Sequence, residues 1–333
     1  LLVGGLVFAI LVLPTIVVVG FGREEAVQDL PRQEAVRLVP EMGEPVVSVY
    51  LSGEGRVVHV PLERYVRGVV AAEMPVEFEL EALKAQAIAS RTFIVQRMIQ
   101  GDFSDVPEGA MVTDTPQHQV YLDEAALKSR WGLAYDKNMA KLTRAVEETR
   151  GQVLTYEGKP IYAAFFSTSN GYTENAEDYW QGGGLPYLKS VPSPWDSHSP
   201  KFQARIEIPV DEFLAKLSLD PSVTAAADGK PWIEVVSKTE SNRVKEVRVG
   251  DRRLSGRQVR EALGLNSSDF TVEVKGDVLV FTTTGYGHGV GMSQYGADGL
   301  AKEGKTAEEI LRHYYQGVEL ADYRQWIKAR NDA

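Results

Sequence analysis

No cysteine occurs anywhere in the 333 residues. That excludes disulfides, thiol nucleophiles and cysteine-bearing metal sites, and it leaves the redox compartment open. Basic charge is also in deficit. The 36 Lys and Arg face 46 Asp and Glu, for a net charge of −10. Nucleic-acid binders carry the opposite footprint, a basic surface, so no nucleic acid is expected as a partner. Internal repeats and low-complexity tracts are missing as well. Long hydrophobic runs are nearly so, with one exception. Residues 1–22 contain no charge, Arg23 being the first. As a helix rising about 1.5 Å per residue they would reach roughly 33 Å, enough for a hydrocarbon core of about 30 Å. A signal peptide's apolar region is shorter, about 7–15 residues, and no small-x-small cleavage site is evident. The run is therefore expected to be a retained transmembrane anchor. Arg23 to Glu44 holds three Arg against six Asp and Glu, which is not a positive-inside flank. The expectation is a single-pass protein of the cell membrane whose bulk is extracytoplasmic.

What remains is ordinary globular material, 44% hydrophobic and 25% charged, long enough to build a large core without metal. Residues 23–45, with Pro31, Pro40 and Pro45, read as a linker. PVVSVYL and RVVHVPL, separated by Gly53 and Gly55, read as a strand hairpin. Two helices follow, then a loop over 101–116, a short QVYL segment, helices near 123–131 and 138–149, and a hairpin turning at residues 157–159. Residues 203–282 alternate strands and helices as a smaller α/β lobe: strands near 203–208, 232–237, 244–249 and 270–283, helices at 210–217 and 256–263. The fold class is α+β, a main domain over 46–320 with this lobe inserted, and a tail at 321–333.

The stretch PLERYVRGVVAAEMPVEFELEALKAQAIASRTFIVQRM (61–98) organises the rest. Pro61 suits the first helical position. Pro75 cannot continue the helix and biases Met74 out of it, so Glu73 falls at a helix end. Flanked by Ala71, Ala72, Met74 and Pro75, its carboxyl has an apolar neighbourhood that raises its pKa, the property a general acid/base needs. The bland reading is a helix-end surface glutamate. The second helix, about 78–98, carries Arg91 on its apolar stripe. A buried arginine needs an anion, either a carboxylate of the protein or a ligand.

Two later stretches bear on a site. In GYGHGVGMSQYGA (285–297) glycines alternate at 285, 287, 289 and 291, which fails the G-x-G-x-x-G fingerprint. On a strand such alternation strips one face and lets a ligand or backbone approach, with His288 on the other face near Ser293 and Gln294. His288 is read either as a site contact or as a hydrogen-bonded core residue. GLAKEGKT (299–306) matches a P-loop pattern, but Gly304 reads as a helix stop and Thr306 with Glu309 as a capping box, so it is a helix–turn–helix junction. Polar and aromatic residues collect in the middle of the chain: Ser167, Ser169, Tyr187, Lys189 and their neighbours. Flat rings with hydroxyls and amides suit a sugar, though as single residues the aromatics suit a core equally.

AAEMP followed by LKAQAIASRT, then FFSTSNGYTENAEDYW (165–180) and GYGHGVGMSQYGA, in this order, resemble the stage II sporulation protein D (SpoIID) family and its LytB-type relatives, over roughly residues 46–320. The resemblance implies a peptidoglycan lytic transglycosylase that cleaves between N-acetylmuramic acid and N-acetylglucosamine on peptide-stripped glycan strands during engulfment. It implies Glu73 as the catalytic acid/base. Arg91, Tyr187 and Lys189 match residues that the family needs in its groove, and Arg91 and Lys189 are expected to hold lactyl carboxylates. Ser167, Ser169, His288 and Gln294 complete the expected substrate contacts. Implied partners are the glycan strands and stage II sporulation proteins P (an amidase) and M, and the implied location is the space between mother-cell and forespore membranes. Some relatives bind zinc through histidine and cysteines. Phe166 and the lack of cysteine depart from that pattern, so neither metal nor cofactor is expected. Two other readings stand beside this one: a non-catalytic wall-binding module that activates an amidase, and a hydrolase using Glu174 or Asp178 as second carboxylate.

Overall fold

Strands β1 (Val46–Leu51) and β2 (Arg56–Pro61) pair antiparallel, and Pro61, opposite Val46, is also the N-cap of helix α1 (Leu62–Glu73). The computed structural model that shows this describes residues 41, 43–180, 184–224 and 231–327. Leu62, not Pro61, is the first helical residue, because strand pairing holds Pro61 in extended backbone at φ −53°, ψ 142°. At the other end Pro75 acts as expected. Met74 is extended at φ −117°, ψ 144°, so α1 stops at Glu73.

Helix α2 (Leu80–Gln100) is the hub of the main core, ending at Gly101 with φ 68°. Ala82, Leu83, Ala85, Ala87, Ile88, Ala89, Ile94 and Val95 bury it on nearly every side, as befits a helix enclosed by its neighbours. Strand β3 (Val112–Thr113) runs parallel beside β1. Helix α3 (Glu124–Trp131), capped by Asp123, leads into α4 (Tyr135–Glu147). Strands β4 (Gln152–Tyr156) and β5 (Lys159–Pro160) make the expected short hairpin. β6 (Phe165–Phe166) and helix α5 (Ala176–Tyr179) follow. Around α2 stand α1, α4, β4, α8 (Gln294–Lys302) and α9 (Ala307–Tyr314).

Between α5 and α8 lies the region read as a smaller lobe. β7 (Gln203–Pro209), α6 (Val210–Lys216), β8 (Ile233–Lys238), β9 (Val244–Val249), β10 (Arg252–Ser255), α7 (Gly256–Leu263), β11 (Phe270–Lys275) and β12 (Val278–Thr284) form two antiparallel sheets, ordered β10-β9-β8 and β11-β12-β7. A second hydrophobic cluster, centred on Phe213, Val247, Val259, Phe270 and Phe281, comes wholly from residues 208–281. The main chain resumes with β13 (Met292–Ser293), parallel to β6, and ends with β14 (Glu319–Asp322) on β4. Tyr323 is buried, and Trp326 and Ile327 pack on the main core. The stretch read as a tail from 321 therefore belongs to the fold through 327.

The glycine run between β12 and β13 is not the expected strand. Gly285, Gly287, Gly289 and Gly291 all take positive φ (86°, 117°, 88° and 78°), which breaks the alternation that a strand requires and favours glycine. The GLAKEGKT stretch is the C-terminal end of α8, a turn at Gly304 (φ 85°) and the capping box of Thr306 and Glu309 that opens α9.

Among the described residues no helix is long and apolar enough to cross a membrane. The longest, α2 with 21 residues, carries Glu81, Lys84, Arg91 and Arg97. This corrects the expectation of a single-pass membrane protein with an extracytoplasmic domain. The anchor expected on residues 1–22, and the linker up to residue 40, lie outside the described residues.

Candidate active site

Glu73 is the last residue of α1 and is partly buried. One carboxylate oxygen, Oε1, accepts the backbone N–H of Val120 at 2.8 Å, and the side chain of Gln294, the first residue of α8, also hydrogen-bonds it. Burial raises its pKa above the usual carboxylate value, and these two donors pull it back in part. The segment bearing Val120 reaches the helix because Gly68 leaves room. A Cβ there would meet the Tyr121 ring at 2.4 Å and the Leu122 carbonyl at 2.7 Å. Behind Gln294 its amide donates to Gln86 Oε1 at 3.3 Å, and Gln86 donates to Ser90 Oγ at 3.0 Å. All three of these side chains are buried.

Among the described residues, none of the expected site residues other than Gln294 hydrogen-bonds Glu73. Arg91 is wholly buried. Its Nε donates to Glu63 Oε1 and Oε2 at 3.0 and 3.1 Å, Nη2 to Oε2 at 2.5 Å, and Nη1 to the Gln152 carbonyl at 3.1 Å. The anion it needs is thus a carboxylate of the protein. Glu63 lies ten residues before Glu73 on α1, about 15 Å along the axis. In this structure Arg91, expected as a substrate contact, has no exposed surface to offer a ligand. Tyr187 is buried, its hydroxyl accepting the Tyr162 N–H at 3.1 Å. Ser169 is buried and donates to the Ser193 carbonyl and Asp196 Oδ2, both at 2.9 Å. Lys189 is half-exposed and pairs with Glu177. The Ser167 carbonyl accepts the Tyr295 N–H at 3.1 Å, which ties the end of β6 to α8.

His288 does not face Ser293 and Gln294. Its ring lies 5.6 to 5.8 Å from those of Phe166, Tyr179 and Trp180. Its Nδ1 accepts the Val290 N–H at 3.1 Å, and the Phe165 backbone takes a second bond. Burial first, then the nearby charge of Arg260, pushes its pKa down to about 3. The imidazole is neutral and held on both sides by backbone. No group of three His, Asp or Glu among the described residues is placed to hold a metal ion.

Three features escaped the sequence reading. The Val120 N–H has no side-chain signature. Gln86 sits three residues after Leu83 on a helix buried all round, where a stripe argument cannot single it out. Arg243, the residue just before β9, lines a cleft of about 300 Å³ with Tyr179, Trp180 and Glu174, and Glu73 is not among that cleft's walls.

The model of the family described as "Stage II sporulation protein" matches residues 50–156, the span that holds α1, α2 and Glu73. The chain is 45% identical to stage II sporulation protein D of Bacillus amyloliquefaciens over 333 aligned positions, covering 96% of this chain and 95% of that relative. It is also 45% identical to stage II sporulation protein D of Bacillus subtilis (strain 168), covering 94% and 92%. A more distant relative, named amidase enhancer, also from Bacillus subtilis (strain 168), is 30% identical over 77% of this chain and 40% of its own length. With that identity across nearly the whole of both curated relatives, the chain belongs to the stage II sporulation protein D family.

Proposed function

We propose that this chain is a peptidoglycan lytic transglycosylase acting in sporulation, at engulfment, on glycan strands already stripped of their stem peptides, with Glu73 as general acid and then base. The observation that carries this reading is the Glu73 carboxyl: partly buried, raised in pKa, and oriented by one backbone and one amide donor. A carboxyl whose pKa is raised by burial keeps its proton to higher pH than a solvated one, and can deliver it to the glycosidic oxygen between N-acetylmuramic acid and N-acetylglucosamine as that bond breaks. The carboxylate so formed takes the proton of the muramyl C6 hydroxyl, whose oxygen closes on the anomeric carbon to give an anhydro-muramic end. No water is consumed, so the two-carboxylate requirement of hydrolases does not apply. Of the two candidate second carboxylates, Glu174 is buried and already accepts from Asn175 N–H at 3.0 Å and the Thr239 hydroxyl at 2.7 Å, and Asp178 accepts from the Asn175 amide at 3.1 Å and stands 3.6 Å from Lys245. This favours the lyase over the hydrolase. Stage II sporulation proteins P and M are the proposed protein partners.

The name of one relative, amidase enhancer, supports a second reading, a non-catalytic wall-binding module that activates an amidase. Product analysis separates the two. Peptide-free strands incubated with the protein and with Glu73→Gln are examined by mass spectrometry. Anhydro-muramic ends from the unaltered protein, reduced about 10²–10⁴-fold in rate by the substitution, are expected. Binding without cleavage in both would leave the wall-binding reading standing instead.

A further inference from the structure

Arg243 is 2% exposed, yet among the described residues no carboxylate lies at hydrogen-bonding distance from its guanidinium; Glu174, Asp269 and Asp196 act on it from farther away. Nη1 donates to the Tyr172 carbonyl and to Ser241 Oγ, both at 3.1 Å and both neutral. Nε is buried with no partner among the described residues. Gly289 is pressed against the guanidinium, where a Cβ would come within 2.4 Å of it. The nearby carboxylate of Glu174 has both oxygens taken up by Asn175 and Thr239. A charge buried in this way is costly unless something completes its pairing.

The cleft that Arg243 lines is rimmed by matched ions. Asp178 stands 3.6 Å from Lys245, Glu261 accepts from Arg257 at 2.7 Å, and Glu177 pairs with Lys189. Three of the wall's four acidic side chains thus have a cation at hand. Among the described residues the fourth, Glu174, has none and acts on Arg243 only through space, and Arg243 is the wall's cation that forms no ion pair. Tyr179 and Trp180 add flat apolar faces, and Thr239, Ser255, Ser268 and Gln258 add hydroxyls and an amide. At about 300 Å³ the space is at the lower limit for small-ligand sites, about 300–1,000 Å³, which suits a single sugar unit. A ring that stacks, hydroxyls that hydrogen-bond and one carboxylate make up the ligand these walls complement.

We propose that this cleft is a subsite for a carboxylate-bearing sugar of the glycan strand, and that Arg243 receives the carboxylate. The identity of the sugar rests on the glycan-cleavage reading above. On such a strand the carboxylate is the lactyl group of muramic acid, which is free only where no stem peptide is amide-linked to it. Arg243 then acts as the specificity residue for stripped strands: an amide at that position offers no charge to pair with the guanidinium.

The test is ligand-side first. The full chain carrying Glu73→Gln, so that substrate persists, is titrated calorimetrically with a short peptide-free muramyl glycan. The same glycan with its lactyl carboxyls converted to methyl amides is the comparison. The free acid is expected to bind on the order of tenfold more tightly, the size of one charge-assisted pair. Adding Arg243→Gln is expected to abolish that preference while the amide's affinity holds. Equal affinity for acid and amide in the Glu73→Gln protein overturns the proposal, and so does failure to bind either, whether or not Arg243→Gln folds. A protein that prefers the acid but gives no anhydro ends with Glu73 intact keeps the subsite and loses the lyase reading. One that gives anhydro ends but does not discriminate keeps the lyase and loses the subsite.

Discussion

Arg91 of α2 and Glu63 of α1 form a buried ion pair, 0% and 1% exposed, in which the guanidinium Nε and Nη2 both donate to the one carboxylate. The Gly151 N–H and the Gln152 and Val146 carbonyls complete the network at 3.1 to 3.5 Å, so the pair joins both helices to the start of β4. Its role here is architectural. Removing one member leaves the other charged and buried, at about 3–5 kcal/mol. Arg91→Ala is expected to lose that much stability in chemical denaturation, and any activity with it. Replacing both residues by apolar ones of similar volume is expected to recover most of the stability. A stably folded Arg91→Ala that fails only in glycan binding would contradict this and return Arg91 to the groove.

The raised pKa of Glu73 makes a prediction about stability whose sign differs from that of most carboxylates. A group raised on folding stabilises the native state at pH below its unfolded value, about 4.3 for glutamate. That contribution is lost as pH rises through the folded value. Glu73→Gln is neutral at every pH and escapes the loss. The substituted protein is therefore expected to gain stability relative to the unaltered one as pH rises from about 4 to 8. Denaturant midpoints across that range measure it, and a flat difference would mean that Glu73 is not desolvated.

Gln294 lowers the Glu73 pKa by donating to the charged form. Gln294→Leu keeps the volume and removes the donor. Its basic limb of activity is expected to move to higher pH, because Glu73 holds its proton longer, while the denaturation midpoint changes by less than it does for Arg91→Ala. A pH profile unchanged in shape, with lower activity throughout, would mean that Gln294 contributes only packing.

How much of this was legible beforehand differs residue by residue. Pro75 and the apolar flank of Glu73 predicted both the helix end and the direction of its pKa, because both are local effects. The apolar stripe of α2 predicted that Arg91 is buried and needs an anion, but spacing along one helix cannot say which anion. Glu63 is 28 residues away, and the choice is made by how α1 lies on α2. The glycines at 285–291 were read by their alternation alone. Positive φ at all four is a backbone property with no sequence period, and it turns His288 toward Phe166, Tyr179 and Trp180. The lobe's strands and helices followed their periodicity closely, since each is a short amphipathic element around Phe213, Phe270 and Phe281.

Gly68 offers the sharpest test of how the site is built. In the middle of a helix, Gly→Ala ordinarily stabilises by roughly 0.5–1 kcal/mol. Here the added methyl would lie 2.4 Å from the Tyr121 ring and 2.7 Å from the Leu122 carbonyl, and a backbone carbonyl cannot swing aside as a side-chain end can. The 119–122 segment must lift from α1, and Val120, whose N–H donates to Glu73 at 2.8 Å, lifts with it. Gly68→Ala is therefore expected to destabilise by about 1–3 kcal/mol, as overpacking does. It should also move the basic limb of activity to higher pH, in the same direction as Gln294→Leu, because a donor to the carboxylate is lost. Both readouts are needed. Lost stability with an unshifted pH profile would show that the segment yields without releasing Glu73, and gained stability would show that the clearance at Gly68 is not what holds Val120 in place.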